Sequence, residues 1–249
     1  MRPRRRSRLV LAVCLLLGLG FAPMHCVWAA AVLEIAPVVH ELTGERRLAS
    51  MTVTNRGASS TWVQLRAFDW RQPGDGDELQ PTNQVAVSPP MFELRAGEAQ
   101  IVRILVRPEA TAEEQSFRLL LDEIPPPEAL KGVRFVLQIS LPIFLAPSGP
   151  QPPPPPTPPL TMEVQIGQRI LQVRNNGKTH VRLSELALWA PDGEQLALQT
   201  LPSPYLLAGA QRRIAIKGDG PLNLQPGAKL VLSMWTVLGR LDVPVVAVP

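Results

Sequence analysis

After residue 31 the chain alternates apolar and polar residues with a period of two, in short stretches cut by turn residues. Period-two alternation places successive side chains on opposite faces of a strand, so it predicts β-structure. Strands are expected over 32–41, 47–54, 61–70, 85–88, 91–94, 99–106, 115–123 and 133–145. Between them stand turn formers such as Asn55-Arg56-Gly57, Pro73-Gly74-Asp75-Gly76-Asp77 and Arg95-Ala96-Gly97. Residues 117–121 alone would pass for a helix, but neighbouring strands and flanking prolines favour β. Many short strands at this spacing indicate a sandwich of roughly seven strands, the immunoglobulin-like count. A second series follows over 160–166, 169–175, 181–189, 195–198, 211–216 and 229–236. Both series contain a strand running into an Asn/Gly turn, MTVTNRG at 51–57 and LQVRNNG at 171–177, which suggests two similar units.

One stretch carries more apolar side chain than a single buried face needs. In VRFVLQISLPIFLAP, 133–147, the odd-numbered set is Val133, Phe135, Leu137, Ile139, Leu141 and Ile143, and the even-numbered set is mixed. Pro142 has no amide to donate, which favours an edge position over a central one. Apolar edges invite pairing with other chains and are usually blunted by charge, yet only Arg134 is charged here. Such a strand is either core or built to pair with another chain.

Composition divides the chain further. The run SGPQPPPPPTPP at 148–159 favours extended polyproline II and reads as a stiff connector between units at 31–147 and 160–249. Residues 1–30 combine a basic head (Arg2, Arg4, Arg5, Arg6, Arg8), the apolar run Leu9 to Ala22 and small residues at Ala29 to Ala31. That is the build of a cleaved secretory signal, with an apolar run too short to span a bilayer. Removing it takes away five arginines and both cysteines, Cys14 and Cys26, and leaves 20 basic against 21 acidic residues. The high isoelectric point therefore belongs to the export segment and gives no reason to expect nucleic-acid binding. The exported part is expected to have no disulfide or thiol chemistry and to be soluble.

Catalytic chemistry is poorly supplied. Outside the signal there are two histidines, His40 and His180, and one tyrosine, Tyr205. There is no nucleophile elbow, P-loop, dinucleotide fingerprint or zinc spacing. Asp75, Asp77 and Glu78 lack the ligand spacing of a calcium loop. No enzyme activity, metal or small-molecule cofactor is expected. Trp62 and Trp70 have even spacing and share one strand face, where core packing is preferred over a sugar platform. Arg66, Arg103, Arg118 and Arg134 each interrupt an apolar strand pattern. They are either outward partners of core residues or ligands for a carboxylate, which arginine holds with two parallel hydrogen bonds.

The order of motifs resembles that of periplasmic chaperones of the chaperone–usher pilus pathway. The carrying stretches are MTVTNRG at 51–57, WVQLRAFDW at 62–70, SPPMFELRAGEAQIVRI at 88–104, EEQSFRLLLDEIPP at 113–126 and LQISLPIFLAP at 137–147. The later stretch from Asn175 through Leu183, with Tyr205-Leu206-Leu207 before Gly209, looks like the second domain of that family, and the missing cysteines look closest to its archaic branch. The resemblance implies an all-β chain with two immunoglobulin-like sandwiches in an L-shaped arrangement. It implies periplasmic location, pilus subunits and an outer-membrane usher as partners, and donation of an edge strand to the subunit. Self-association through that strand is a further expectation. A structural pilus or adhesin module is the alternative reading. By position, the donated residues are expected to be Phe135, Leu137, Ile139 and Leu141, with Val133 at the margin. Many family members grip the subunit's terminal carboxylate with an Arg on the first strand and a Lys on the last strand of domain one. Here the first strand has no Arg, and Ser140 and Pro142 stand near the Lys position. Arg134, Arg66 or Arg103 is the expected substitute, with Arg134 favoured because it lies on the donor strand.

Overall fold

The computed structural model describes residues 32–107, 111–124, 136–149, 158–183, 185–200, 205–217, 222, 224–236 and 239–249. The expected export segment at 1–30 and most of the proline-rich connector lie outside the described residues. The first unit consists of β1 (Leu33–Ala36), β2 (His40–Leu42), β3 (Leu48–Asn55), β4 (Thr61–Arg71), β5 (Glu78–Pro81), β6 (Val85–Ser88), β7 (Met91–Leu94), β8 (Ala99–Val106), β9 (Gln115–Ile124) and β10 (Gln138–Leu145). They form a four-stranded sheet in the order β1-β3-β8-β6 and a second sheet in the order β2-β10-β9-β4-β5, with β7 also on β4. Alternate residues meet between the sheets: Met51, Val53, Val102 and Ile104 from one, Val63, Leu65, Phe117, Leu119 and Leu121 from the other. The two-residue period is thus satisfied by one shared core, as a sandwich requires.

The expected strand over 32–41 is two strands in different sheets. β1 pairs with β3, and β2 crosses to pair in parallel with β10. Pro37 stands at the crossing, where its missing amide costs no ladder bond. The period could not reveal this, because both halves keep their alternation.

The second unit contains β11 (Leu160–Gln165), β12 (Ile170–Asn175), β13 (Val181–Arg182), β14 (Glu185–Trp189), β15 (Gln195–Thr200), β16 (Tyr205–Leu206), β17 (Gln211–Ala215), β18 (Lys229–Thr236) and β19 (Gly239–Val248). Seven of these make one sheet, and β13 pairs with β16. β19 is not predicted from sequence, since Pro244 interrupts its pattern. The proline is tolerated because β11 joins β19 only from Val246 onward, so Pro244 lies where β18 is its one partner.

The sequence echo between the units has a structural meaning. Asn55 is fully buried, and its Nδ2 donates to the carbonyls of Ser59 at 2.7 Å and Leu94 at 3.1 Å. Asn175, equally buried, donates to Thr179 at 2.8 Å, Leu206 at 3.1 Å and Leu207 at 3.0 Å. In each case the side-chain oxygen accepts the amide of the glycine two residues on, at 2.9 Å. Each asparagine therefore ties its Asn/Gly turn to strand carbonyls that have no other nearby donor of suitable shape. Asn175→Ala leaves those acceptors buried without it, and should cost about 2–4 kcal/mol of stability. Urea unfolding of the exported chain measures this, and a loss below about 0.5 kcal/mol would refute the role.

Candidate functional site

The site begins with the two sides of β10. One side is paired with β9 over the whole strand, Gln138 opposite Asp122 to Leu145 opposite Gln115. On the other side β2 covers only Ile143 to Leu145. The Glu123 amide donates to the Leu137 carbonyl at 2.9 Å, so odd-numbered backbone groups of this strand face β9 and even-numbered ones face away. Ala146 fits this parity, donating to Leu42 at 2.9 Å. The amides and carbonyls of Gln138 and Ser140 therefore point to an edge that no described strand covers. Pro142 falls on the same side, and pairing with β2 starts at the next residue. A proline where pairing changes hands is what its missing amide allows.

Burial along the strand is graded. Ile143 and Leu145 are buried in the first unit's core, and so is Leu141, at 2% exposure. Ile139 is half-buried against the same core, and Leu137 is 39% exposed. Leu141 is thus already committed to its own domain, which corrects its assignment to the donated set. The residues of that set left accessible are Leu137 and, at its margin, Ile139. Val133, Arg134 and Phe135 lie outside the described residues.

The even-numbered face is the outer face of this sheet, and the second unit covers one end of it. Phe144 and Trp70 join the second unit's core. The Phe144 ring stacks on His180 with centroids 3.6 Å apart, and Trp70 meets Tyr205 edge-on at 6.0 Å. Polar contacts flank this seam. His180 Nδ1 lies 2.9 Å from Glu114 Oε1, and the Glu114 amide donates to the Lys178 carbonyl at 2.9 Å. Gln72 donates to the Tyr205 carbonyl at 3.0 Å and accepts the Leu207 amide at 2.9 Å. Asp77 pairs with Arg212, and Asp75 with Arg213. Apolar burial rimmed by satisfied polar pairs holds the two units together.

Where the seam opens beside the free edge of β10 there is a cleft of about 550 Å³, lined by Ser140, Pro142, Asp77, Arg118, Arg182 and Tyr205 among others. Two guanidinium groups face it. Arg118 is buried, 3.5 Å over the Trp70 ring and 4.0 Å from Asp77. Burial lowers its pKa, against the pull of Asp77, yet the group stays far above any working pH. Arg182 is exposed, its guanidinium 6.0 Å from the Tyr205 ring. The expected anchors sit elsewhere. Arg66 is paired with Asp122 at 2.9 Å on the outer face, and Arg103 lies on β8 in the opposite sheet. Arg182 is missed from sequence because it belongs to the second unit and approaches the cleft only through the seam.

Residues 33–151 match the family model described as pili and flagellar-assembly chaperone, PapD N-terminal domain. Among solved structures, a chain of the CsuC–CsuE chaperone–tip adhesion subunit pre-assembly complex, from archaic chaperone-usher Csu pili of Acinetobacter baumannii, aligns with a TM-score of 0.65. It is 23% identical, with 88% of this chain and all of that chain covered. The Salmonella enterica complex of SafA pilin with the SafB chaperone gives a TM-score of 0.58 at 16% identity, covering 88% of this chain and 97% of that one. The Escherichia coli chaperone DraB gives 0.57 at 17% identity, covering 86% and 96%. These likenesses show the fold, two immunoglobulin-like β domains. A search of curated protein sequences finds no match.

His40, on β2 beside β10, is buried, and burial holds its imidazole below the ordinary value of about 6.5. The unfolded chain then takes up this proton first, so the stability contributed is whole above about pH 6.5 and is lost as pH falls through that range. The fall in urea midpoint between pH 7 and pH 5 should be smaller in His40→Gln. An identical fall in both proteins would refute this.

Proposed function

We infer that this chain, whose residues 33–151 belong to the PapD N-terminal domain family of pilus chaperones, holds pilus subunits in the periplasm and passes them to an outer-membrane usher. The observation that carries the reading is the open edge of β10: outward backbone groups at Gln138 and Ser140, an apolar side chain at Leu137, and a basic cleft at the far end. A subunit strand added there gains main-chain hydrogen bonds that tolerate sequence variation, with alternate side chains supplying fit, as in chaperone–pilin complexes. Each large apolar side chain newly buried contributes on the order of 1.5–3 kcal/mol. Leu137 and Ile139 enter the subunit's groove, and Val133 and Phe135 extend the same set. Leu141 stays in its own core and supports the strand from behind.

The cleft takes the charged end of the added strand. Arg182, with Arg118 behind it, is placed to receive a chain-terminal carboxylate, and the Trp70 stack keeps Arg118 oriented. Arg134 remains a second basic group on the same strand. Without a subunit, the free edge is also a site for self-association, since an uncovered strand pairs with whatever strand meets it.

Co-expression with a secreted pilus subunit encoded beside it should yield a one-to-one periplasmic complex, lost in Leu137→Asp and Ile139→Asp. Full-strength binding by both variants would overturn strand lending. Arg182→Glu should weaken binding about tenfold or more at low salt, with a smaller difference at high salt, because exposed charges are screened. An unchanged dissociation constant would remove Arg182 from the anchor role.

A further inference from the structure

The outer face of the sheet holding β10 divides into three zones along its strands. At the cleft end, Phe144, Trp70 and Arg118 lie under the second unit. A polar belt follows, in which Asp122 binds Arg66 at 2.9 Å and accepts a hydrogen bond from Gln138. Burial there would raise the Asp122 pKa, but the Arg66 and Gln138 hydrogen bonds win and hold it below the usual carboxylate range. Beyond the belt the surface becomes apolar again. Trp62 is directly opposite Ile124 on β9, and the register that sets Leu137 against Glu123 brings Val136 beside Ile124. These three are 44%, 36% and 57% exposed, and Met91, also exposed, lies opposite Gln64 one row nearer the belt.

Core packing does not account for this row. Trp70 shares its face of β4 with Trp62 and is buried by the second unit, whereas nothing among the described residues covers Trp62. A single exposed apolar residue needs no explanation, but a tryptophan, an isoleucine and a valine in register across three adjacent strands form a patch. The row ends at the beginning of the open edge of β10, so anything pairing with that edge passes beside it.

We propose that Val136, Ile124 and Trp62 form a second docking strip for the same pilus subunit, contacting an apolar surface beside the groove that receives Leu137 and Ile139. The inference rests on the strand-lending reading. Its physical basis is continuity: the even-numbered side chain Val136 sits on the strip while its neighbour Leu137 points to the other face, so one bound subunit engages both. The strip gives the far end of the strand a hold that the cleft, at the opposite end, cannot supply. Tryptophan suits this role because it offers a large contact area at low entropic cost.

The test is the dissociation constant of the complex with the co-expressed subunit for Trp62→Ser, Ile124→Ser and Val136→Ser, with Trp235→Ser, an exposed tryptophan of the second unit, as control. Each strip variant should weaken binding at least fivefold, and the control should bind like the unchanged chain. Should Trp62→Ser unfold, the other two substitutions, at smaller exposed side chains, decide the matter. Unchanged affinity in the folded variants would overturn the strip while leaving strand lending intact. Altered self-association with unchanged subunit affinity would also overturn it. Failure of the unchanged chain to bind the subunit at all would take down the underlying reading with it.

Discussion

A strand can be offered to another chain only if its own neighbours stop short of it, and the rest of this molecule depends on where β2 stops. β2 reaches β10 after the crossing at Pro37 and pairs with three residues, Ile143 to Leu145. Pro142, on the same side, lacks the amide that would let the ladder continue. The backbone groups of Gln138 and Ser140 therefore stay outward while β9 holds the strand from behind. Firm attachment on one side and an open ladder on the other let an edge lend hydrogen bonds without dissolving its own domain.

The graded burial of the odd-numbered residues follows from the same arrangement. Toward the covered end the sandwich is closed, and Leu141, Ile143 and Leu145 fill it. Toward the open end the covering strand is absent, and Ile139 and Leu137 become progressively accessible. A partner entering at the open end would complete a core that already exists, which fits strand lending better than adsorption to a flat apolar patch. The strand's other face is treated in the same graded way, from Phe144 sealed under the second unit to Val136 in the open.

The seam between the units gives the cleft its charge. Arg118 comes from β9 and Arg182 from β13, far apart in sequence, and they line one cavity because Phe144 stacks on His180 and Trp70 packs against Tyr205. The acidic turn after β4, an unremarkable solvated loop by composition, contributes Asp75 and Asp77 to Arg213 and Arg212 across the seam. No local pattern marks such pairs, since both partners look like ordinary surface charge until the units meet.

The two-residue period, the Asn/Gly turns and the length of each apolar run were enough to read all-β structure and nearly all the strands of both units. Those features act between neighbours in sequence, where sterics and main-chain geometry decide. Even the repeated asparagine was visible as an echo, although its role as a buried hydrogen-bond hub was not. The division of one predicted strand between two sheets, the burial of Leu141, the pairing of Arg66 with Asp122 and the arrival of Arg182 at the cleft were decided by tertiary structure. Alternation says that two faces differ, but not which face meets the chain's own core, which meets a second domain and which is left for a partner. That choice belongs to the packing of sheets, whose contacts join residues the sequence holds far apart.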